Sequence, residues 1–158
     1  MRRAGGRLPG EVFLSHSSKD HKFASRVADV VRAHGVPVWY SETHILGAQQ
    51  WHDIIGAALM RCDWFLILLS PAAIQSSWVK HELVYALRSS RYRERITPIR
   101  YRDCDSGRLS WTIEGFQAVD FRKDFHEGCA SLMRSWGIGY DRAKVQPEIK
   151  SATRAKKR

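Results

Sequence analysis

The chain has 158 residues, enough for one domain with an adequate core and too few for two. Its 44% hydrophobic content and six Trp are globular, while the formal charge of +10 suggests a nucleic-acid binder until it is located. Residues 1–10 carry three Arg and no acid, residues 141–158 carry seven Lys/Arg against Asp141 and Glu148, and residues 11–140 hold 16 basic and 14 acidic side chains. The basicity therefore belongs to the tails, and contact with nucleic acid is expected only through them, if at all.

In chain order, residues 1–10 read as a disordered basic leader. Residues 11–15 (EVFLS) read as a short buried strand, followed by a loop through His16, Ser17 and Ser18, with Ser18 as a candidate helix cap. Phe23, Ala24, Val27, Val30 and Val31 recur at helical spacing, and Gly35 is placed to end that helix in the left-handed region. Residues 36–40 (VPVWY) are a second strand, and residues 41–50 a polar loop. Trp51, Ile54, Ile55, Ala58 and Leu59 predict a second helix.

Residues 64–70 (WFLILLS) are apolar on both faces, as the central strand of a parallel sheet must be. A helix over 78–89 follows, then strands over 96–100 and 116–121, and a final helix on Phe125, Cys129, Leu132, Met133 and Trp136. Residues 101–115 read as a polar connection. Strand and helix alternating with short links predict a single flavodoxin-like, doubly wound, five-stranded parallel sheet over residues 11–138, with 139–158 a basic, disordered tail or linker.

Cys62, Cys104 and Cys129 are scattered and lack a C-x-x-C spacing, which disfavours a disulfide framework and a zinc site and fits a reducing compartment. No apolar stretch follows the N-terminal arginines, and the longest apolar run, 64–69, is too short to span a bilayer. A soluble cytoplasmic protein with no membrane partner and no metal is expected.

One constellation carries chemistry. Ser76 and Ser77 supply a helix start, after which Val79, Leu83, Ala86 and Leu87 form the buried stripe. Trp78, Glu82, Tyr85 and Ser89 form a second stripe, placing a Trp ring and a carboxylate on one face that looks toward the carboxyl ends of the strands. Open α/β sheets bind ligands there. Taken alone, the pair is ordinary: a Glu near a helix start is usually solvated, and a Trp there usually rims a core.

Four segments in order resemble the TIR (Toll/interleukin-1 receptor) domain, especially its bacterial NAD-cleaving branch: VFLSHSSKD at 12–20, VWYSET at 38–43 with the loop through Trp51, CDWFLILLSP at 62–71, and SWVKHEL at 77–83. The chain departs from bacterial relatives at Ser41, where an acid is common, and at Leu46-Gly47-Ala48, where Pro-Gly is common. The resemblance implies an NAD+ nucleosidase that releases nicotinamide and either ADP-ribose or a cyclic ADP-ribose signal. NAD+ is then a substrate, and no cofactor is expected.

It further implies Glu82 as the catalytic carboxylate, with Phe13, Ser15, His16, Ser17, Ser41, Glu42, Trp51 and Trp78 lining the substrate pocket. Self-association through TIR–TIR contacts, a separate sensor or effector protein, and a role in prokaryotic antiphage immunity are implied as well. One carboxylate suffices for such chemistry, because nicotinamide in NAD+ is already cationic and leaves as a neutral base without an acid. The alternative is a non-enzymatic TIR adaptor. A receiver domain is disfavoured because Ser15-His16 and Ser70 stand where it needs acids, and a nucleoside deoxyribosyltransferase by the Ser-Pro exit of the third strand.

Overall fold

The computed structural model describes residues 8–41 and 48–145. Five parallel strands, β1 (Val12–Ser15), β2 (Val38–Trp39), β3 (Trp64–Leu69), β4 (Ile96–Arg100) and β5 (Val119–Asp120), form one sheet in the order β2-β1-β3-β4-β5. This is the flavodoxin-like order, and its direction reverses between β1 and β3, the position where such sheets take ligands at their carboxyl ends. The register sets Ser15 opposite Ile67, so the last residue of β1 stops two residues short of the end of β3.

Helices α1 (His21–Ala33), α2 (Ala48–Arg61), α3 (Pro71–Gln75), α4 (Ser77–Arg88) and α5 (Phe125–Ser135) cover both faces. Alternation along each strand decides which helix meets which residue. Val12, Leu14, Leu66, Leu68 and Ile99 pack with α1 and α5, whereas Phe13, Phe65, Ile67 and Leu69 pack with α2, α3 and α4. Each such buried side chain contributes roughly 1.5–3 kcal/mol of transfer free energy, so the two layers hold the sheet from both sides. Among the described residues, no helix is long and apolar enough to cross a membrane.

Local signals account for most boundaries. α1 ends as Gly35 adopts φ 87°, while Gly35 N–H returns to the Arg32 carbonyl at 3.0 Å and Val36 N–H to that of Val31 at 3.2 Å. These are the paired bonds of a left-handed glycine terminus. Ser76 caps α4 by accepting from Val79 N–H, and Asp124 caps α5 by accepting from His126 and Glu127.

The structure differs from the predicted elements in five places, the first being the strand expected over 36–40, which contracts to Val38–Trp39. The strand expected over 116–121 contracts to Val119–Asp120, with a 3-10 turn, Trp111–Gly115, ahead of it. The connection over 101–115 also holds a second 3-10 turn, Ser106–Arg108. α3 was not anticipated, because five residues are too few to show a period, although Ser70 capping and Pro71 at the first helical position mark its start. The cap expected at Ser18 falls on Ser17, which accepts from Lys19 N–H at 3.3 Å at the head of a 3-10 turn, Ser18–Asp20.

Packing also continues past residue 138. Ile138, Tyr140 and Val145 lie against the α1–α5 layer, with the Tyr140 ring stacked on His34 at 5.4 Å. The predicted leader, apart from residues 8–10, and the tail beyond residue 145 lie outside the described residues.

Candidate active site

Strand alternation points Ser15 to the same face as Phe13, toward α4. On α4 the buried residues are Val79, Glu82, Leu83 and Ala86, spaced by three and four as one helical stripe requires. Glu82 therefore occupies a core-facing position in an otherwise apolar stripe. Its side chain meets Ser15, whose Oγ donates to Glu82 Oε1 at 3.1 Å in a buried hydrogen bond. The two residues are 67 positions apart and meet at the carboxyl end of β1, beside the point where strand order reverses.

The electrostatics follow from that placement. Glu82 is 8% exposed. Burial disfavours its charged form and pushes its pKa up to about 8, with the Ser15 hydrogen bond acting in the opposite direction. The result is a carboxyl group that changes charge near neutral pH.

The stripe expected to join Trp78 to Glu82 is divided by the fold. Trp78 is 41% exposed, and its ring centroid lies 6.2 Å from that of His52 on α2. Tyr85 is exposed as well. Trp78 precedes Glu82 by about one helical turn, roughly 6 Å along the axis, and stands at the exposed edge of α4.

The β1–α1 loop brings several predicted residues to the same end of the sheet. Ser15, His16 and Ser17 are all buried. The His16 ring lies 6.0 Å from His21 and 5.9 Å from Tyr40, which themselves are 6.0 Å apart, so three rings surround the carboxyl ends of β1 and β2. Ser41 follows Tyr40 and is half-buried, while Glu42 lies outside the described residues.

Two predicted positions pack into the apolar layer beneath this end of the sheet. Phe13 is fully buried, stacked between Trp39 at 5.0 Å and Phe65 at 5.6 Å, so its side chain belongs to the core and not to a pocket wall. It does fix the face on which Ser15 emerges two residues later. Trp51 is half-buried and packs on that same apolar layer, anchoring the first turns of α2.

Sequence reasoning missed a second buried contact at this end of the sheet. Ser70, directly after β3, donates to Asp20 Oδ2 at 2.5 Å while accepting from Ala73 N–H at 3.0 Å. Asp20 stands at the cap position of α1 yet makes no side-chain bond to that helix. Its carboxylate instead ties the β1–α1 loop to the β3–α3 junction, 50 positions away. An acid two residues beyond the Ser17-Ser18 pair was the available signal, and it reads as an ordinary cap.

Among the described residues, no three His, Cys, Asp or Glu side chains are grouped to hold a metal ion. This end of the sheet offers two buried carboxyl groups, Glu82 and Asp20, each accepting from a serine hydroxyl, with further loop hydroxyls and aromatic rings nearby.

Comparison with known proteins places this geometry. Over 74 residues the chain is 27% identical to 2' cyclic ADP-D-ribose synthase BtTIR of Bacteroides thetaiotaomicron, an alignment spanning 46% of this chain and 26% of that enzyme. The fold is similar to a metazoan TIR-STING receptor from C. gigas in complex with 2',3'-cGAMP, with a TM-score of 0.65, 20% identity, and coverage of 79% of this chain and 38% of that one. It is also similar to the TIR domain of the Toll-related receptor TRR-2 from Hydra magnipapillata, with a TM-score of 0.58, 14% identity, and coverage of 78% and 87%. The sequence model of the TIR domain matches residues 12–133, from the first residue of β1 into α5, and the chain belongs to the TIR domain family.

Proposed function

We propose that this TIR domain is a cytosolic NAD+ nucleosidase in which Glu82 is the catalytic carboxylate. The observation that carries the reading is the placement of Glu82 in the core-facing stripe of α4, hydrogen-bonded to Ser15 at the end of β1. A carboxylic acid among Val79, Leu83 and Ala86 lowers stability unless it serves something, since an apolar side chain would fit that stripe without desolvating a polar group. A module working only through surface contacts gains nothing from it. The similarity to a cyclic ADP-D-ribose synthase supports the same substrate class.

In this reading the bond that breaks joins the ribose anomeric carbon to the nicotinamide nitrogen. The electron pair leaves with nicotinamide, which departs neutral, and positive charge develops on the ribose. Glu82, ionised by the approach of the cationic nicotinamide ring, stabilises that charge. Ser15 holds the carboxylate in place, and Trp78, exposed one turn earlier on α4, walls the ribose–nicotinamide end. Water capture of the ribosyl cation yields ADP-ribose, while capture within the same molecule yields a cyclic product. Self-association and a separate sensing or receiving protein belong to this reading, since TIR contacts supply a natural means of control.

The test is nicotinamide release from NAD+ across a series of protein concentrations, with product analysis for linear and cyclic ADP-ribose. The native chain is expected to turn over, with the rate per protomer rising with concentration. Glu82→Ala and Glu82→Gln are expected to abolish release while remaining folded. Equal release by the native chain and both variants would remove Glu82 from the chemistry.

A further inference from the structure

The carboxyl-terminal half of α4 faces away from Glu82 and borders a depression that the NAD+ reading leaves unused. A cavity of about 600 Å³ is walled by Val84, Leu87 and Arg88 on one side and by the 3-10 turn bearing Trp111 and Phe116 on the other. A second cavity of about 270 Å³ shares Leu87, Arg88 and Phe116 with it and continues past Tyr92 to Arg93 and Glu94. The two adjoin at Leu87, Arg88 and Phe116, the first more apolar and the second more polar.

Trp111 stands on the lip of the first depression, 85% exposed. It adds an aromatic surface to the apolar side chains there, and Trp is enriched where proteins meet partners. Glu94, at the far end, has φ 60°, an uncommon conformation for a residue with a side chain.

Charge selects the occupant. Arg88 and Arg93 line these depressions and Arg91 stands two residues before Arg93; all three are exposed, and among the described residues no ion pair engages any of them. Glu94 is the acid among the groove's lining residues, and nearby Glu114 is turned toward Gly107 of the preceding turn. We infer that this groove is a docking site for an acidic segment of a partner protein, which inserts a large apolar side chain between Leu87, Trp111 and Phe116 and sets its carboxylates against Arg88, Arg91 and Arg93. Trp and Arg are the residue types that dominate binding energy at such contacts. Two adjoining depressions favour an extended chain that crosses both over a compact ligand. The inference goes beyond the NAD+ reading and does not depend on it.

The test selects binders from a random peptide library on the native chain, with counter-selection on a Trp111→Ser, Arg88→Gln variant. Both side chains are exposed, so neither change threatens the fold. Selected peptides are expected to flank an apolar residue with Asp or Glu and to lose about tenfold or more in affinity on either single variant. Their binding should weaken as salt rises, because the contacts at the rim are solvent-exposed. They should bind Glu82→Ala as tightly as the native chain, so that loss of catalysis and loss of docking are read separately. Failure to enrich any peptide that distinguishes the two baits, or enrichment of basic or uncharged peptides, overturns the inference. Self-association of the native chain that the double variant lacks, seen by sedimentation, would assign the groove to a second copy and overturn it too.

Discussion

Ser15 Oγ is the hydrogen-bond donor to the Glu82 carboxyl group, across a 3.1 Å contact between the end of β1 and the buried stripe of α4. Burial and this hydroxyl pull the acid in opposite directions, and burial prevails, leaving the pKa at about 8. Ser15→Ala removes the hydroxyl that opposes burial. The Glu82 pKa is therefore expected to rise further, read by carboxyl titration in NMR with Glu82→Gln as the blank.

The same displacement sets how stability depends on pH. The unfolded chain holds Glu82 near its ordinary value of 4.5, while the folded chain holds it near 8. Between those values the folded state binds the extra proton, so this group makes stability fall as pH rises through that window. Glu82→Gln removes that contribution. Its denaturation midpoint is expected to gain on the native chain steadily from about pH 5 to pH 8 and no further. A constant difference over that range would mean that the carboxyl group titrates alike in both states.

Turnover should respond with the opposite slope, because the ionised carboxylate is the working form. With NAD+ as substrate, kcat/KM reports the free enzyme and is expected to climb as pH approaches 8. The bound nicotinamide ring is cationic and favours the carboxylate, so kcat should level off at a lower pH than kcat/KM. Coincident profiles for kcat and kcat/KM would show that the substrate's charge does not reach Glu82.

The Asp20–Ser70 bond makes a distinct prediction about architecture. Ser70→Ala removes both the cap of α3 and the donor to a buried carboxylate. The loss is expected to be about 2–4 kcal/mol, from an absent cap and an acid left without its partner, measured by chemical denaturation. Asp20→Asn, which retains an acceptor oxygen for Ser70, should cost less. If the two variants are equally stable, the contact does not join the β1–α1 loop to the β3–α3 junction.

How much of this was legible in the chain depends on the range of the cause. The periods of α1, α2 and α5 and the apolar run of β3 are local, and each appears where the residues placed it. The left-handed turn at Gly35 is equally local. The sequence singles out Glu82 on a crevice-facing stripe shared with Trp78, whereas the fold buries the acid and leaves Trp78 41% exposed. Its burial depends on Ser15 arriving from another strand, and no window along α4 contains that information. Phe13 was misplaced for a related reason: in a sheet covered on both faces, neither direction along β1 reads as a pocket wall. Asp20 looks like a cap until the fold brings Ser70 to it. Local pattern reveals elements, while the partners of buried polar groups are decided by register.

Two helical glycines separate crowding from propensity. At Gly128 in α5, a Cβ would lie 2.5 Å from the Phe121 ring, closer than any side-chain carbon can approach. Phe121 is buried against Phe23 and Phe125 and has no open direction in which to retreat. Gly128→Ala is therefore expected to destabilise the fold by about 1–3 kcal/mol, the range for overpacking a filled core. Gly56 lies in the interior of α2, and a Cβ there meets nothing within 4 Å. Gly56→Ala should stabilise by about 0.5–1 kcal/mol, since alanine restricts the unfolded chain and favours the helix. Adding Phe121→Leu to Gly128→Ala is expected to recover part of the loss in thermal denaturation, whereas Phe121→Leu alone should destabilise. If the paired change is merely additive, the close approach of α5 to the end of β5 is not what reserves position 128 for glycine.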